Sequence, residues 1–170
     1  MPATMSNPRD AYLALLGDML FVERTLSFEV LPQMLADAGN PALAGALAEH
    51  LEQTKAHVGR AEQAFRAAGA EASSNRSLPL GGLVDQHRQL AASAATTALA
   101  DLLHAQAALH TEAYEIASYR VLVVLAESVA PDALSPLREN LAEEEAAAEA
   151  LRQLLAELAC ADPRSAPCAR

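Results

Sequence analysis

Apolar side chains recur at steps of three and four along four long stretches of this chain, near residues 12–30, 43–65, 102–123 and 134–158. That spacing gathers them on one face of a helix and admits little besides helices packed on one another. The alphabet agrees. Among 170 residues there are 40 alanines and 27 leucines, against a single isoleucine (Ile116), eight valines and no tryptophan. The β-branched and aromatic side chains that suit a pleated sheet are too few to build one, so the expected class is all-α.

Gly39-Asn40-Pro41 turns the chain between the first two helices and Ala130-Pro131 between the last two. Turns so short make each pair an antiparallel hairpin. Residues 70–82 between the pairs are polar and rich in Gly and Pro, and a short helix is expected from Leu83 to about Ala94, ahead of an N-cap at Thr96 or Thr97. Two hairpins joined by a crossover over about 70–95 predict a ferritin-like four-helix bundle, because an up-down-up-down bundle has no use for so long a connection. One domain is expected over residues 10–160, with flexible termini at 1–9 and 161–170.

Lys and Arg total 12 against 22 Asp and Glu, a formal net charge of −10. No stretch concentrates basic side chains, which excludes nucleic acid and anionic membrane surfaces as partners. The longest apolar runs, residues 42–48 and 121–126, fall far short of the roughly 20 residues that span a bilayer. Residues 1–10 lack the pattern of a secretory leader, so a cytoplasmic protein is expected. Cys160 and Cys168 stand close to the C-terminus and read as free thiols, too few for a disulfide framework or a Cys-based zinc site.

Charges interrupt three of the four apolar seams. Glu23 stands between Met19 and Leu26, Glu112 between Leu109 and Ile116, and Glu144 between Leu141 and Ala148, with Glu115 at the margin one turn beyond Glu112. On the second helix His50, Thr54 and His57 form a strip beside Leu47, Leu51 and Val58. Residues equally far from a tight turn face each other across a hairpin. Glu23 lies 17 residues before residue 40 and His57 17 after it, while Glu144 lies 14 beyond residue 130 and Glu115 15 before it. At ~1.5 Å rise per residue these groups share a level to within one helical turn.

A buried carboxylate without a partner costs several kcal/mol or takes up a proton. The nearest basic residues by sequence, Arg24, Lys55 and Arg120, fall outside the seams. A pair of metal ions bridged by Glu and capped by His57 is the simplest compensation, and a shell rich in oxygen favours iron or manganese. The Glu-x-x-His pairs usual in such bundles are missing, since Leu26 and Ala147 follow Glu23 and Glu144 by three residues and Thr54 precedes His57 by three.

Four strings, His50-Leu-Glu-Gln-Thr54, the His-Val-x-Arg-x-Glu-Gln-x-Phe of 57–65, Glu112-Ala-Tyr-Glu-Ile-Ala-Ser-Tyr119 and Leu141-Ala-Glu-Glu-Glu145, resemble the YciF-type ferritin-like family of bacterial stress proteins. The resemblance extends over about residues 10–158. It implies a rubrerythrin-like bundle that forms a homodimer, carries a di-iron or di-manganese centre and takes part in stress responses. It carries over Glu23, His57, Glu112, Glu115 and Glu144 as the metal-binding positions. Gln53 stands where the family often has a second Glu, Ala113 where a His is frequent, and Arg120 where Gly is usual.

Two functions follow. The first is a cytoplasmic di-metal bundle in which iron or manganese meets oxygen or peroxide. The second is a non-enzymatic stress or interaction bundle that has lost strong metal binding, which Gln53 and Ala113 favour. His50, about two turns from the cluster, reads as structural, Tyr119 as core packing, and His87, His104 and His110 as surface or margin residues. Glu143, Glu145 and Glu149 read as a solvated face. Neither a Gly-rich phosphate loop nor a nucleophile triad is present.

Overall fold

The computed structural model describes residues 4–160, so the expected tail at 161–170 lies outside the described residues. Asn7 opens the first helix by accepting a hydrogen bond from the Asp10 amide, and Pro8 takes the first helical position, where its missing N–H is no loss. Helix α1 (Pro8–Thr25) passes through a π-helical turn (Leu26–Val30) into α2 (Leu31–Asp37). The helix starts four residues before Tyr12, where the apolar pattern begins, and inside the stretch 1–9 expected to be flexible. Its interior break traces to Pro32, which lacks an N–H and crowds the carbonyl one turn back. The Leu31 amide instead donates five residues back, to the Leu26 carbonyl, and the widened turn carries the helix past the proline.

Asn40 caps α3 (Pro41–Ala67) by accepting from the Ala42 and Leu43 amides at 2.8 and 3.2 Å. Gly69, at φ 65°, lies just past its C-terminus, in the left-handed conformation that glycine adopts without strain. The crossover helix α4 (Leu78–Ala92) begins five residues before the expected Leu83, capped by Ser77. Helix α5 (Thr97–Val129) is capped by Thr96, and a 3-10 turn (Pro131–Ala133) leads into α6 (Leu134–Cys160). Cys160 is disulfide-bonded, which corrects the expectation of a free thiol there, and Cys168 lies outside the described residues.

Helix α1 packs on α3 and α5, and α6 packs on the same two, which makes a four-helix bundle with α1 and α6 on one diagonal and α3 and α5 on the other. Helix α4 lies against α5. This extra cover explains one error of the periodicity. On α5 the buried positions include Asp101, His104, Ala108, Glu112, Glu115, Tyr119 and Leu122, whereas Leu102, Leu109 and Val123 are half-buried. A helix with neighbours on several sides is apolar nearly all round, so its innermost face is blurred in the sequence. Among the described residues no helix is long and apolar enough to cross a membrane.

The crossover is fastened to α1 at a glycine. The Asn75 amide donates to the Gly17 carbonyl at 3.0 Å, and Asn75 Nδ2 to the Ala14 carbonyl at 3.4 Å. A Cβ on Gly17 would stand 2.6 Å from Asn75 Nδ2 and 3.0 Å from the Ser73 carbonyl oxygen. Helix propensity alone would make Gly17→Ala stabilising by up to about 1 kcal/mol. The clash with a backbone oxygen reverses the sign, and urea denaturation should show a loss of about 1 to 3 kcal/mol. A gain in stability would mean that the crossover does not rest on α1.

Candidate metal centre

Each long helix turns polar side chains inward at the same level. Helix α1 contributes Glu23, α3 contributes His50, Thr54 and His57, α5 contributes Glu112, Glu115 and Tyr119, and α6 contributes Asn140 and Glu144. The steps of three, four and seven along each helix are those that keep side chains on one face. Glu23, His57, Glu115 and Glu144 are fully buried, and Glu112 and His50 keep 1% and 5% of their surface.

The donors fall into two lobes that share one residue. Glu23, His57 and Glu144 each offer an atom within 4.8 Å of the others, and so do His50, Glu112, Glu115 and Glu144. All five residues singled out in the sequence are thus brought together. Glu115 is in the interior, not at the margin. His50 joins them, against its reading as structural, with Nε2 3.0 Å from Glu112 Oε1. The seven residues between His50 and His57 are two turns, or about 10 Å of axis, which lets one helix serve both ends of an elongated site.

The tautomer of His57 follows from its surroundings. Its Nε2 lies 2.8 Å from Glu143 Oε2, and Arg60 holds that carboxylate through Nη1 at 2.8 Å and Nη2 at 3.1 Å. Burial pushes the Glu143 carboxyl upward, but Arg60 and His57 outweigh it and hold the group below its ordinary range. An ionised carboxylate only accepts, so Nε2 carries the proton. In a neutral ring Nδ1 is then bare. It lies 2.8 Å from Glu144 Oε1 and 3.4 Å from Glu23 Oε2. Those are distances of ion-pair contact without hydrogen-bond alignment, and Nδ1 has no hydrogen-bond partner. A carboxylate behind an imidazole whose other nitrogen faces oxygen donors is the usual outer support of a metal ligand.

Glu143 is therefore no mere surface residue, and Arg60 is the basic group that sequence distance from the seams concealed. Arg24, Lys55 and Arg120 pair at the rim with Glu62, Glu52 and Glu145, at 2.8, 2.6 and 2.7 Å. Tyr119 also exceeds its reading as packing. Its hydroxyl donates to Glu23 Oε1 and accepts from Asn140 Nδ2 at 2.9 Å. His87 and His104 form a pair of their own, with Nε2 and Nδ1 2.7 Å apart, and His104 is buried instead of lying at the surface. His110 is exposed, as expected.

Electrostatics shows what the cluster lacks. Burial, joined by the charges of Glu144, Glu23 and Glu112, pushes the Glu115 carboxyl well above its ordinary range. Burial raises Glu23 against the pull of His57, and lifts Glu112 to about 8 against the pull of His50. For the imidazoles burial acts downward and loses. Glu112 holds His50 up at about 9, and Glu144 with Glu23 holds His57 up at about 11. Only Glu144 among the four carboxyls is held low, because His57, Glu112 and His50 outweigh its burial. Glu23 Oε2, Glu112 Oε2, both oxygens of Glu115 and both of Glu144 have no hydrogen-bond partner. Orphaned buried oxygens in such number fit a cation, and their chemistry fits a hard one.

The sequence departures take nothing from this set. Ala113 is exposed on the outer side of α5, and Gln53 is half-buried and lines the same cavity as His50. A missing His at 113 or Glu at 53 leaves all six donors in place.

Comparison with known proteins agrees with the architecture. Residues 7–162 match a family described as a domain of unknown function, DUF892. The chain is 28% identical to protein YciF of Escherichia coli strain K12 over 144 residues, covering 84% of this chain and 86% of that one. Its fold superposes on the crystal structure of the E. coli stress protein YciF with a TM-score of 0.85 at 28% identity, over 91% of this chain and 98% of that one. The YcfI protein of Rhodopseudomonas palustris also gives a TM-score of 0.85, at 29% identity, over 89% of this chain and 97% of that one. By a family match across nearly its whole length and by its fold, the chain belongs to the DUF892 family, that of the YciF-type stress proteins.

Proposed function

We propose that the chain is a carboxylate-bridged di-metal protein, carrying iron or manganese and handling oxygen, peroxide or metal ions under stress. One observation carries this reading: Glu144 belongs to two buried donor groups at once, and both of its oxygens lack a hydrogen-bond partner. Glu23, His57 and Glu144 would hold one ion, and His50, Glu112, Glu115 and Glu144 the other. The bound ions would supply a reversible change of oxidation state in a compartment without bulk water. The protein's part is positional. Arg60 and Glu143 fix the ring of His57 so that Nδ1 faces Glu23 and Glu144, and Tyr119 with Asn140 fixes Glu23. The reading includes a homodimer in the cytoplasm, for which the exposed Val121 and Val124 on α5 offer an apolar face. The alternative, a bundle without strong metal binding, draws on Gln53 and Ala113, of which Ala113 is exposed on α5 and Gln53 half-buried on α3.

Protein purified without chelator, or reconstituted anaerobically, should contain about two iron or manganese ions per chain. Because Glu144 serves both lobes, Glu144→Ala should empty both, whereas Glu23→Ala should spare the lobe of His50. Less than about 0.2 ion per chain in the reconstituted wild type would leave only the non-metal reading.

Loading must displace protons. With Glu112 at about 8, His50 at about 9 and His57 at about 11, the metal-free cluster holds protons at neutral pH that a cation competes with. Metal affinity should therefore rise with pH between 6 and 8 by the law of mass action, and calorimetry in buffers of different ionisation enthalpy should report net proton release. Proton uptake, or none, would mean that these groups are not the ligands.

Glu143→Ala, which leaves every proposed donor intact, should weaken metal binding by about 10- to 100-fold through loss of the support behind His57. Unchanged affinity would show that His57 does not depend on Glu143 for its orientation.

A further inference from the structure

The bundle is not closed beside His50. Helices α3, α5 and α6 leave a cavity of about 110 Å³ between them, walled by Leu47, Ala108, Ala147 and Leu151, with His50 among its lining residues. Glu49, Ala146 and Ala150 are exposed and form its rim, so the cavity is reached from the surface. On the inner side Nε2 of His50 stands 3.0 Å from Glu112, and its buried Nδ1 has no hydrogen-bond partner.

The cavity has a cause in the sequence. Ala147 follows Glu144 by three residues, the place where a Glu-x-x-His pair would put an imidazole. Here the second imidazole comes from α3 instead, as His50, and the methyl of Ala147 leaves the space unfilled. A single water needs about 10 to 15 Å³ of such volume, so the space admits a molecule of several atoms at most. Its walls select the chemistry. Alanine and leucine make up most of the lining, Gln53 and His50 are its polar side chains inside the rim, and Glu49 together with the carboxylates beyond His50 repels anions. Seven of the ten lining residues are alanine or leucine, and such a wall favours a small, neutral molecule of low polarity. At the other end of the site Arg60 and Glu143 cover His57.

We infer that this cavity is the place where dioxygen docks and enters, approaching the paired donors from the His50 side. The inference rests on the di-metal reading for its purpose but not for its test. Metal-free protein labelled with ¹³C in its alanine methyls is placed under dissolved dioxygen, and paramagnetic relaxation is measured methyl by methyl. Ala108, 5% exposed, should relax more strongly than the fully buried Ala61 and Ala64 of the core, and as strongly as the half-buried Ala147 that lines the cavity with it. Ala147→Leu, or Ala46→Leu from the opposite wall should the first fail to fold, should abolish the excess at Ala108 while leaving metal content unchanged. No excess at Ala108 in the wild type, or an excess that survives both fillings, overturns the inference and leaves the metal reading untouched. Metal content below the level stated above sinks the metal reading and leaves the dioxygen measurement standing.

Discussion

Four carboxylates share a buried compartment, and the positive groups within it are two imidazoles. If both imidazoles were protonated the balance would still fall short by two charges. Burial, with the neighbouring carboxylates, drives Glu115, Glu23 and Glu112 upward, and the same carboxylates hold both histidines up, so protons offset the charge in the metal-free protein. Two divalent ions would close the account differently. They bring four positive charges to four carboxylates and leave both imidazoles neutral, with a lone pair free for coordination. The same side chains would thus serve two electrically balanced cores, one protonated and one metallated, the second offering partners to carboxylate oxygens that have none.

The bundle supplies what such a core demands, namely four rigid rods at one level. A short turn at Asn40 and another at Ala130-Pro131 fix the depth of each hairpin, and the crossover lets the two hairpins meet face to face. Beyond the donors lies a layer that holds them in place. On one side Arg60, Glu143 and Asn140 tie α3 to α6, and on the other Tyr119 ties α5 to α1 through Glu23. These contacts run between neighbouring helices around the bundle, so the donors' orientations are fixed by the same packing that makes the core.

What the sequence disclosed follows from which residues contrast with their surroundings. Glu23, Glu112 and Glu144 were legible because a charge among leucines is anomalous, and His57 because the hairpin arithmetic set it level with Glu23. His50 was not legible, for the arithmetic measures height along a helix and a two-ion site is about two turns long. Tyr119 gave no signal, since a tyrosine on an apolar stripe looks the same whether its hydroxyl has a partner or not. Arg60 and Glu143 were hidden for a related reason: each lies at the edge of its helix's buried strip, where polar residues are ordinary, and only their meeting across α3 and α6 shows a role. The π-helical turn had a visible cause in Pro32, but periodicity alone carries the eye past it.

The two lobes are chemically unequal. At one, His57 is braced from behind by an ionised carboxylate and an arginine, and its Nδ1 faces Glu23 and Glu144. At the other, His50 has no such brace, and the space that Ala147 leaves adjoins it. An imidazole hydrogen-bonded to a carboxylate is a stronger and better oriented donor than one without. An ion at the first lobe would therefore be held tightly and kept dry, whereas an ion at the second would be the one open to small molecules. Glu144, common to both, is the group through which a change at the open ion would reach the enclosed one. Ala147, which follows Glu144 where a Glu-x-x-His pair would place an imidazole, is in three dimensions the feature that distinguishes the two ends of the site.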